Sequence, residues 1–495
     1  MFKRIGFFLL YFIIQGHWAA GQSPLGLYFP ETLPQTTRVN PAHMPEKSFY
    51  ITLPSPAVVL QMNPSLNAAV QRENEAWISP LHNNFDYPRL YQSAGNIVNI
   101  NAEAGLSILG FGFKTGDHHF GVSLSVKSAS QVSAPSDALR ITEKGFPHNS
   151  FFDFSKTHLK QVAYKEIAIT YARQWNENLS LGISLKPLFG MVGAVSKIHT
   201  LSLHTSRTVW RGEVDATISA SGPVELEQSA LEDIPDSYSI SNNLADRIPE
   251  YLTSWKNAGL GFDIGAKLET VGPWTFSVSL IDLGWMQFKN ELTQMSFQGT
   301  YTYDGIEMSG FDEQQLDDHL DELVDTLNQV LDYNVSHQPF ATVLTPKLYA
   351  GAAYRIRPNL KAGFLSRTTF QKKRWNQEFN TSLNYRPLSW LELNAGYSFR
   401  INGSNGPGGS LIIGNSPLQF FIAADYLPPR YAMVTFDDYD PIPVLPNQRD
   451  LSLQFGINLK FDQFNPFPHR AGKKSPRRDH PGAIPCPENY DFRKE

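Results

Sequence analysis

Leu451-Ser452-Leu453-Gln454-Phe455-Gly456-Ile457-Asn458-Leu459-Lys460-Phe461 is the stretch whose reading decides the fold. One parity is Leu, Leu, Phe, Ile, Leu, Phe; the other is Ser, Gln, Gly, Asn, Lys. Successive side chains of a strand point to opposite faces, so this strand has one apolar face and one polar face. The same alternation recurs at 120–127, 179–186, 260–269, 379–386, 391–401 and 418–426. Asp263, Lys267, Glu269, Arg355, Lys361, Arg367, Arg386, Glu392, Arg400, Asp425 and Lys460 all fall on the polar parity. Arg or Lys facing lipid at mid-depth costs roughly 2–4 kcal/mol, so in a membrane barrel this parity faces a watery or protein-filled lumen. A soluble β-sandwich would alternate too, with its apolar face turned inward.

Connection lengths separate these two folds. Strands are expected near 103–113, 118–128, 162–173, 178–188, 197–206, 208–220, 258–270, 274–288, 344–357, 359–371, 376–387, 390–401, 409–414, 417–427 and 451–461. Every second connection is tight, as at 115–117, 176–178, 271–273, 357–359, 387–389 and 415–417. The long connections, around 129–161, 221–257, 289–343 and 428–450, all fall in the alternate set. Short periplasmic turns and long outer loops characterise outer-membrane barrels, and nothing makes a sandwich sort its loops in this way. Trp175, Trp210, Trp274 and Trp390 lie beside the expected short connections, where an interfacial aromatic girdle would sit. An upward strand must precede the first descending one, and 48–60 supplies it despite Pro54 and Pro56. The fold class is therefore all-β, a transmembrane antiparallel β-barrel of about 14–16 strands, even in number as bacterial barrels are.

The flanks fit this address. Lys3 and Arg4, the apolar run 5–14 and the small residues Ala19-Ala20-Gly21 make residues 1–21 a secretory signal peptide, cleaved after Gly21. That run is too short for a helical anchor, which needs roughly 20 apolar residues. Residues 22–47 hold Pro24, Pro30, Pro34, Pro41 and Pro45 and read as an extended, turn-rich leader or plug segment. The barrel occupies 48–461, and 462–495, with Lys473, Lys474, Arg477 and Arg478, form a polar periplasmic tail. Within one long outer loop, residues 312–332 carry leucines at helical spacing. A single cysteine, Cys486, excludes an intrachain disulfide and a multi-cysteine zinc site. A net charge of −5 gives no reason to expect nucleic acid.

Chemistry-bearing motifs are scarce, and no catalytic residue, metal site or cofactor is assigned. Gly259, Gly261 and Gly265 do not make a dinucleotide fingerprint, because Ile264 takes the third glycine position and no helix follows. Glycines spaced this way in a strand serve curvature or close packing. No G-x-S-x-G elbow occurs. His118-His119 and the pair His199/His204 have no cysteine or carboxylate at ligand spacing. The sharpest motif is an assembly signal: Gln454, Gly456, Leu459 and Phe461 match the terminal-strand pattern read by the barrel-assembly machinery, although 34 residues follow it. A second candidate is the acidic face Asp317, Asp318, Asp321, Glu322 and Asp325, which would hold a divalent cation or a partner. Its plainer reading is a solvated face on a loop-capping helix.

Five short motifs carry a family resemblance: Asn40-Pro41-Ala42, Tyr164-Lys165-Glu166-Ile167-Ala168, Gly261-Phe262-Asp263-Ile264-Gly265-Ala266, Ile281-Asp282-Leu283-Gly284, and 409–426 ending in Ala424-Asp425-Tyr426. Together they resemble an outer-membrane barrel family of unknown function, related to the FadL-like long-chain fatty-acid transporters and to PorV-type subunits of type IX secretion. The resemblance implies the barrel and the cell outer membrane; it implies no catalytic residue. Two functions stay open. One is a non-enzymatic surface or secretion-associated assembly component. The other is a transport or binding barrel for a hydrophobic or amphiphilic small molecule. Expected partners are outer-membrane lipid and lipopolysaccharide, the barrel-assembly machinery, and secretion or surface proteins.

Overall fold

The computed structural model describes residues 24–63, 85–138, 147–222, 244–303, 332–371, 374–401, 403–427 and 450–461. It also describes the short stretches 71–73, 76–78, 224–228, 235–240, 432–436 and 439–444, with Ala68 and Ile141. The expected signal peptide, the tail 462–495 with Cys486, and the acidic residues Asp317, Asp318, Asp321, Glu322 and Asp325 lie outside these residues.

Fourteen antiparallel strands close into a barrel. The first is split into Phe49–Thr52 and Ser55–Asn63, as the two prolines require. It pairs on one side with Ile97–Thr115 and on the other with the last strand, Asp450–Phe461, through Phe49↔Phe461 and Ala57↔Gln454. This pairing leaves the wall without an open edge, which a lipid-embedded sheet needs because hydrocarbon cannot satisfy unpaired backbone groups.

Alternation along the wall runs as the charges demand. Leu181, Ile183 and Leu185 are exposed on the outside, while Ser184 and Lys186 between them are buried inside. Arg367, Glu378, Arg400, Asp425 and Lys460 are likewise buried inside. The inward-facing apolar surface of a sandwich is thereby excluded. Arg355 departs from the expectation, because a register shift beside the turn leaves it exposed at the rim.

Trp175, Trp274 and Trp390 are exposed at the short-turn rim. Trp210 is not there. Strand Leu179–Thr205 is 27 residues long and leaves the wall after pairing through Phe189 with Ala258–Glu269. Its far half pairs with Trp210–Ser221, which pairs with Leu292–Tyr303 and then with Asp332–Ser336. Trp210 sits at the distal tip of this outer sheet, opposite Thr205. The two strands expected at 197–206 and 208–220 are thus one wall strand's continuation and a non-wall strand. The count falls to 14 for that reason. Asp332, placed by its spacing at the end of a helix, instead opens a strand paired to Gln298. Helices Tyr87–Ala94 and Leu244–Thr253 occupy other loops at the outer end, and their short length hides them in the sequence.

Candidate functional site

The site is the filled lumen. Leader residues from Pro24 enter the barrel as two short 3-10 turns, Leu25–Leu27 and Pro34–Arg38. Proline at the start of the second turn and Pro24 before the first fix the bends locally. Leu25, Leu27, Tyr28 and Leu33 are almost completely buried against the inner wall. Leu25 and Tyr28 pack with Val39, Ile281, Tyr349 and Leu365; Leu27 and Leu33 pack with Ile412, Phe421 and Ala423.

Wall glycines mark where the leader lies. A Cβ on Gly182 would stand 2.3 Å from the Pro41 carbonyl carbon, and one on Gly265 would stand 2.1 Å from Asn40 Oδ1. Gly351 and Gly363 make the same room for the rings of Tyr28 and Phe29. The close-packing reading of Gly265 is thereby borne out.

Asn40 is the hub of this contact. Its Nδ2 donates to the backbone carbonyls of Ala266 and Val278 and to the Tyr28 hydroxyl, at 3.3–3.4 Å. Its Oδ1 accepts from the Ala42 N–H at 2.9 Å. A side-chain amide offers two donor hydrogens and an acceptor oxygen on adjacent atoms.

Polar wall residues hold the rest of the leader. The Asp425 carboxylate accepts from the N–H groups of Leu25 and Gly26, the orphan donors that open the first turn. Gln35 and Asn458 exchange two hydrogen bonds, at 2.7 and 3.1 Å. Lys460 Nζ donates to the Thr32 carbonyl at 2.5 Å, and the Thr32 hydroxyl donates to Glu392 at 2.5 Å. Nearer the rim, Glu31 pairs with Lys361 at 2.7 Å and Glu46 pairs with Arg386 at 3.1 Å. Partial burial would raise the Glu31 carboxyl, but Lys361 and Lys267 outweigh it and hold the carboxyl below the usual range.

Beyond the leader, towards the outer end, lies a buried ion-pair network centred on Asp282. Lys186 Nζ sits 2.6 Å from Asp263 and 2.9 Å from Asp282, and Lys347 lies 3.1 Å from Asp282 and 3.2 Å from Glu103. Lys127 pairs with Glu166 at 2.7 Å. A β-bulge aims Asp282. The register between Ala258–Glu269 and Trp274–Phe288 shifts at Asp263, and Asp282 takes φ 59°, a conformation Asp tolerates better than most residues. Its N–H then donates to Asp263 at 2.8 Å.

A second pair set joins Arg367 to Glu378 at 2.5 Å, with Tyr426 and Gln61 donating to the same carboxylate. On the strands that carry Glu166, Lys186 and Asp282, the side chains of Val162, Tyr164, Leu188, Met286 and Phe288 form an apolar cluster within the barrel, with Phe340 and Leu344 beside them. Gly190 and Gly193 leave space for the Phe288 ring.

The assembly-signal residues divide between faces. Gln454 and Gly456 face inward, Gln454 donating to the Ser55 hydroxyl at 3.2 Å. A Cβ on Gly456 would meet Phe421 and Ser55 at 2.8 Å. Leu459 and Phe461 face outward on the closing strand. His119 stacks on Tyr50 inside and His118 on Tyr171 outside. No group of three metal-ligating side chains occurs among the described residues.

No curated protein matches the sequence. Among solved structures the chain is similar to the toluene transporter TbuX of Ralstonia pickettii, with 8% identity, TM-score 0.42, and 90% of this chain and 99% of that one covered. It is also similar to a FadL homologue of Pseudomonas aeruginosa (10% identity, TM-score 0.41, 90% and 97% covered) and to the CymD monoaromatic hydrocarbon channel (10% identity, TM-score 0.40, 90% and 99% covered). The fold rests on the strand pairing above rather than on these likenesses. The model of a family of unknown function, DUF5723, matches residues 41–425, the span from the docked Pro41 through the wall to Asp425, and the chain belongs to that family.

Proposed function

We propose that this chain is a plugged barrel of the cell outer membrane, exported by cleavage after Gly21, that anchors and presents an extramembrane sheet to secretion-associated or other surface proteins. The observation that carries this reading is the strand Leu179–Thr205, whose far half leaves the wall and extends the wall's sheet outward through Trp210–Ser221, Leu292–Tyr303 and Asp332–Ser336. A solute channel does not require such an extension. The filled lumen supports the same reading, since leader, ion pairs and apolar cluster succeed one another along the barrel's height. The reading assigns no reaction to the protein. The acidic face Asp317, Asp318, Asp321, Glu322 and Asp325 belongs to the segment joining two strands of this sheet, and a partner would meet it there.

A second reading is a carrier of a hydrophobic or amphiphilic molecule. The apolar cluster around Phe288 favours it, because such a cluster inside a barrel offers an apolar molecule a first resting place.

Native mass spectrometry of the barrel extracted in mild detergent separates the two. The assembly reading predicts stoichiometric protein partners that disappear when residues 206–221 and 292–336 are replaced by short linkers. A co-purifying lipid with no protein partner would establish the carrier reading instead.

A further inference from the structure

Between the leader and the apolar cluster the lumen contains a cavity of about 90 Å³. An engineered apolar cavity of about 150 Å³ stays dry and takes benzene, so this one suits a few waters or a single small ion. Its lining is charged: Arg38, Lys127, Lys160 and Lys347 stand against Glu103 and Asp282. Two of the four cations touch no carboxylate among the described residues. Lys160 is buried, and its Nζ donates to the Val343 carbonyl at 2.6 Å and the Thr345 hydroxyl at 3.5 Å. Arg38 donates to the Ser107 hydroxyl.

The lining residues and their ion-pair partners Lys186, Glu166 and Asp263 together make five cations and four carboxylates. One positive charge is left over. An uncompensated charge away from bulk water costs several kcal/mol, whereas one bound monovalent anion would balance this network. Two further residues line the same cavity: Tyr349, whose hydroxyl faces the donor Arg367 and finds no acceptor among the described residues, and Gln454, whose Oε1 has no partner among them. The Tyr349 hydroxyl, on a residue 1% exposed, can donate; Gln454 Oε1, on a residue 2% exposed, can only accept. Gln454 Nε2 is already committed to Ser55, so the oxygen is the atom of this amide left without a partner.

We infer that the cavity is a binding site for a small, singly charged oxyanion that also carries a hydroxyl, the class of dihydrogen phosphate. Lys160 and Arg38 meet its charge, Tyr349 donates to an oxygen, and Gln454 accepts from the anion's own hydroxyl. That last contact gives selectivity. An anion without a donor leaves Gln454 Oε1 buried and unpaired, which is how sites of this kind reject close analogues.

Isothermal titration of the full-length barrel in detergent with inorganic phosphate at pH 6, where the monovalent form predominates, tests the assignment. Phosphate is expected to bind one per barrel, and sulfate at least tenfold more weakly. Lys160→Met is expected to weaken phosphate about 30-fold, the equivalent of the ~2 kcal/mol lower bound for losing one partner of a buried charged contact. Heat-modifiable migration confirms that the variant barrel is folded. Tyr349→Phe removes the donor without touching charge and is expected to weaken phosphate by a smaller factor. The assignment is overturned if the folded wild-type barrel takes up no phosphate, if folded Lys160→Met binds as well as wild type, or if sulfate binds as tightly as phosphate.

Discussion

Residues 179–189 and 193–205 belong to one continuous strand and live in different solvents. In the wall, Leu181, Ile183 and Leu185 are exposed to lipid while Ser184, Lys186 and Leu188 are buried inside. Beyond it, Lys197, His199 and His204 are exposed, and Leu201 and Leu203 are only half-buried. The difference shows what the lumen demands. A charge such as Lys186 is tolerated inside because Asp263 and Asp282 stand within 3 Å of it. In the outer sheet water does that work, and no partner is needed.

Substitutions on either side of this divide should differ sharply. The largest effect is expected from Asp282→Ala, which leaves Lys186 with Asp263 and Lys347 with Glu103 but removes the carboxylate they share and adds one uncompensated buried charge; breaking a buried pair in this way costs about 3–5 kcal/mol. Its counterpart in the outer sheet, Glu213→Gln at an exposed position, should change stability by no more than about 0.5 kcal/mol. Urea unfolding in lipid vesicles measures both, and similar losses would erase the distinction. Next comes the lipid face. Ile183→Arg should cost roughly 2–4 kcal/mol by the same measurement, whereas Ile198→Arg on the same strand's outer half should cost far less.

A smaller effect is expected where leader meets wall. Gly265→Ala places a methyl group on Asn40, and overpacking of this kind costs about 1–3 kcal/mol. Limited proteolysis should cleave the 24–47 segment faster in this variant, while Gly212→Ala in the outer sheet, where a Cβ has room, should leave cleavage unchanged. The smallest effect concerns pH. The Glu31 carboxyl is held below its usual range, so its contribution to docking is present above the unfolded value and fades as pH falls through the folded one. Hydrogen exchange of residues 28–33 should accelerate modestly on acidification below about pH 4, and Glu31→Gln should remove that dependence.

How much of this was legible beforehand follows from the same divide. Alternation with charges on one parity gave the barrel, its inside and its closing strand, because lipid penalises every exception. The five family motifs converge on the lumen once the chain is folded. Asn40-Pro41 docks on Gly265 and Gly182, Glu166 and Asp263 flank Lys186, the bulge at Asp282 binds Lys186 and Lys347, and Asp425 caps the first leader turn. Their roles could not be read individually, since each depends on a partner on another strand or on the leader, as far as 400 residues away for Asp425 and Leu25.

The outer sheet departs from the sequence expectation for a physical reason. Residues 197–220 alternate as wall strands do, and nothing local shows whether a strand's neighbour is a wall or another loop. Trp210 departs with them. Lys160 and Arg38 gave no signal either, because an unpaired lumenal cation is recognised only against the carboxylates that fail to reach it.

The central claim is that the leader closes the lumen. Single-channel recording in planar bilayers tests it most directly, comparing the full barrel with a variant lacking residues 24–47. The account predicts no steady conductance for the full barrel and a stable open level for the variant. A full barrel that conducts steadily, at the same level as the variant, would contradict it.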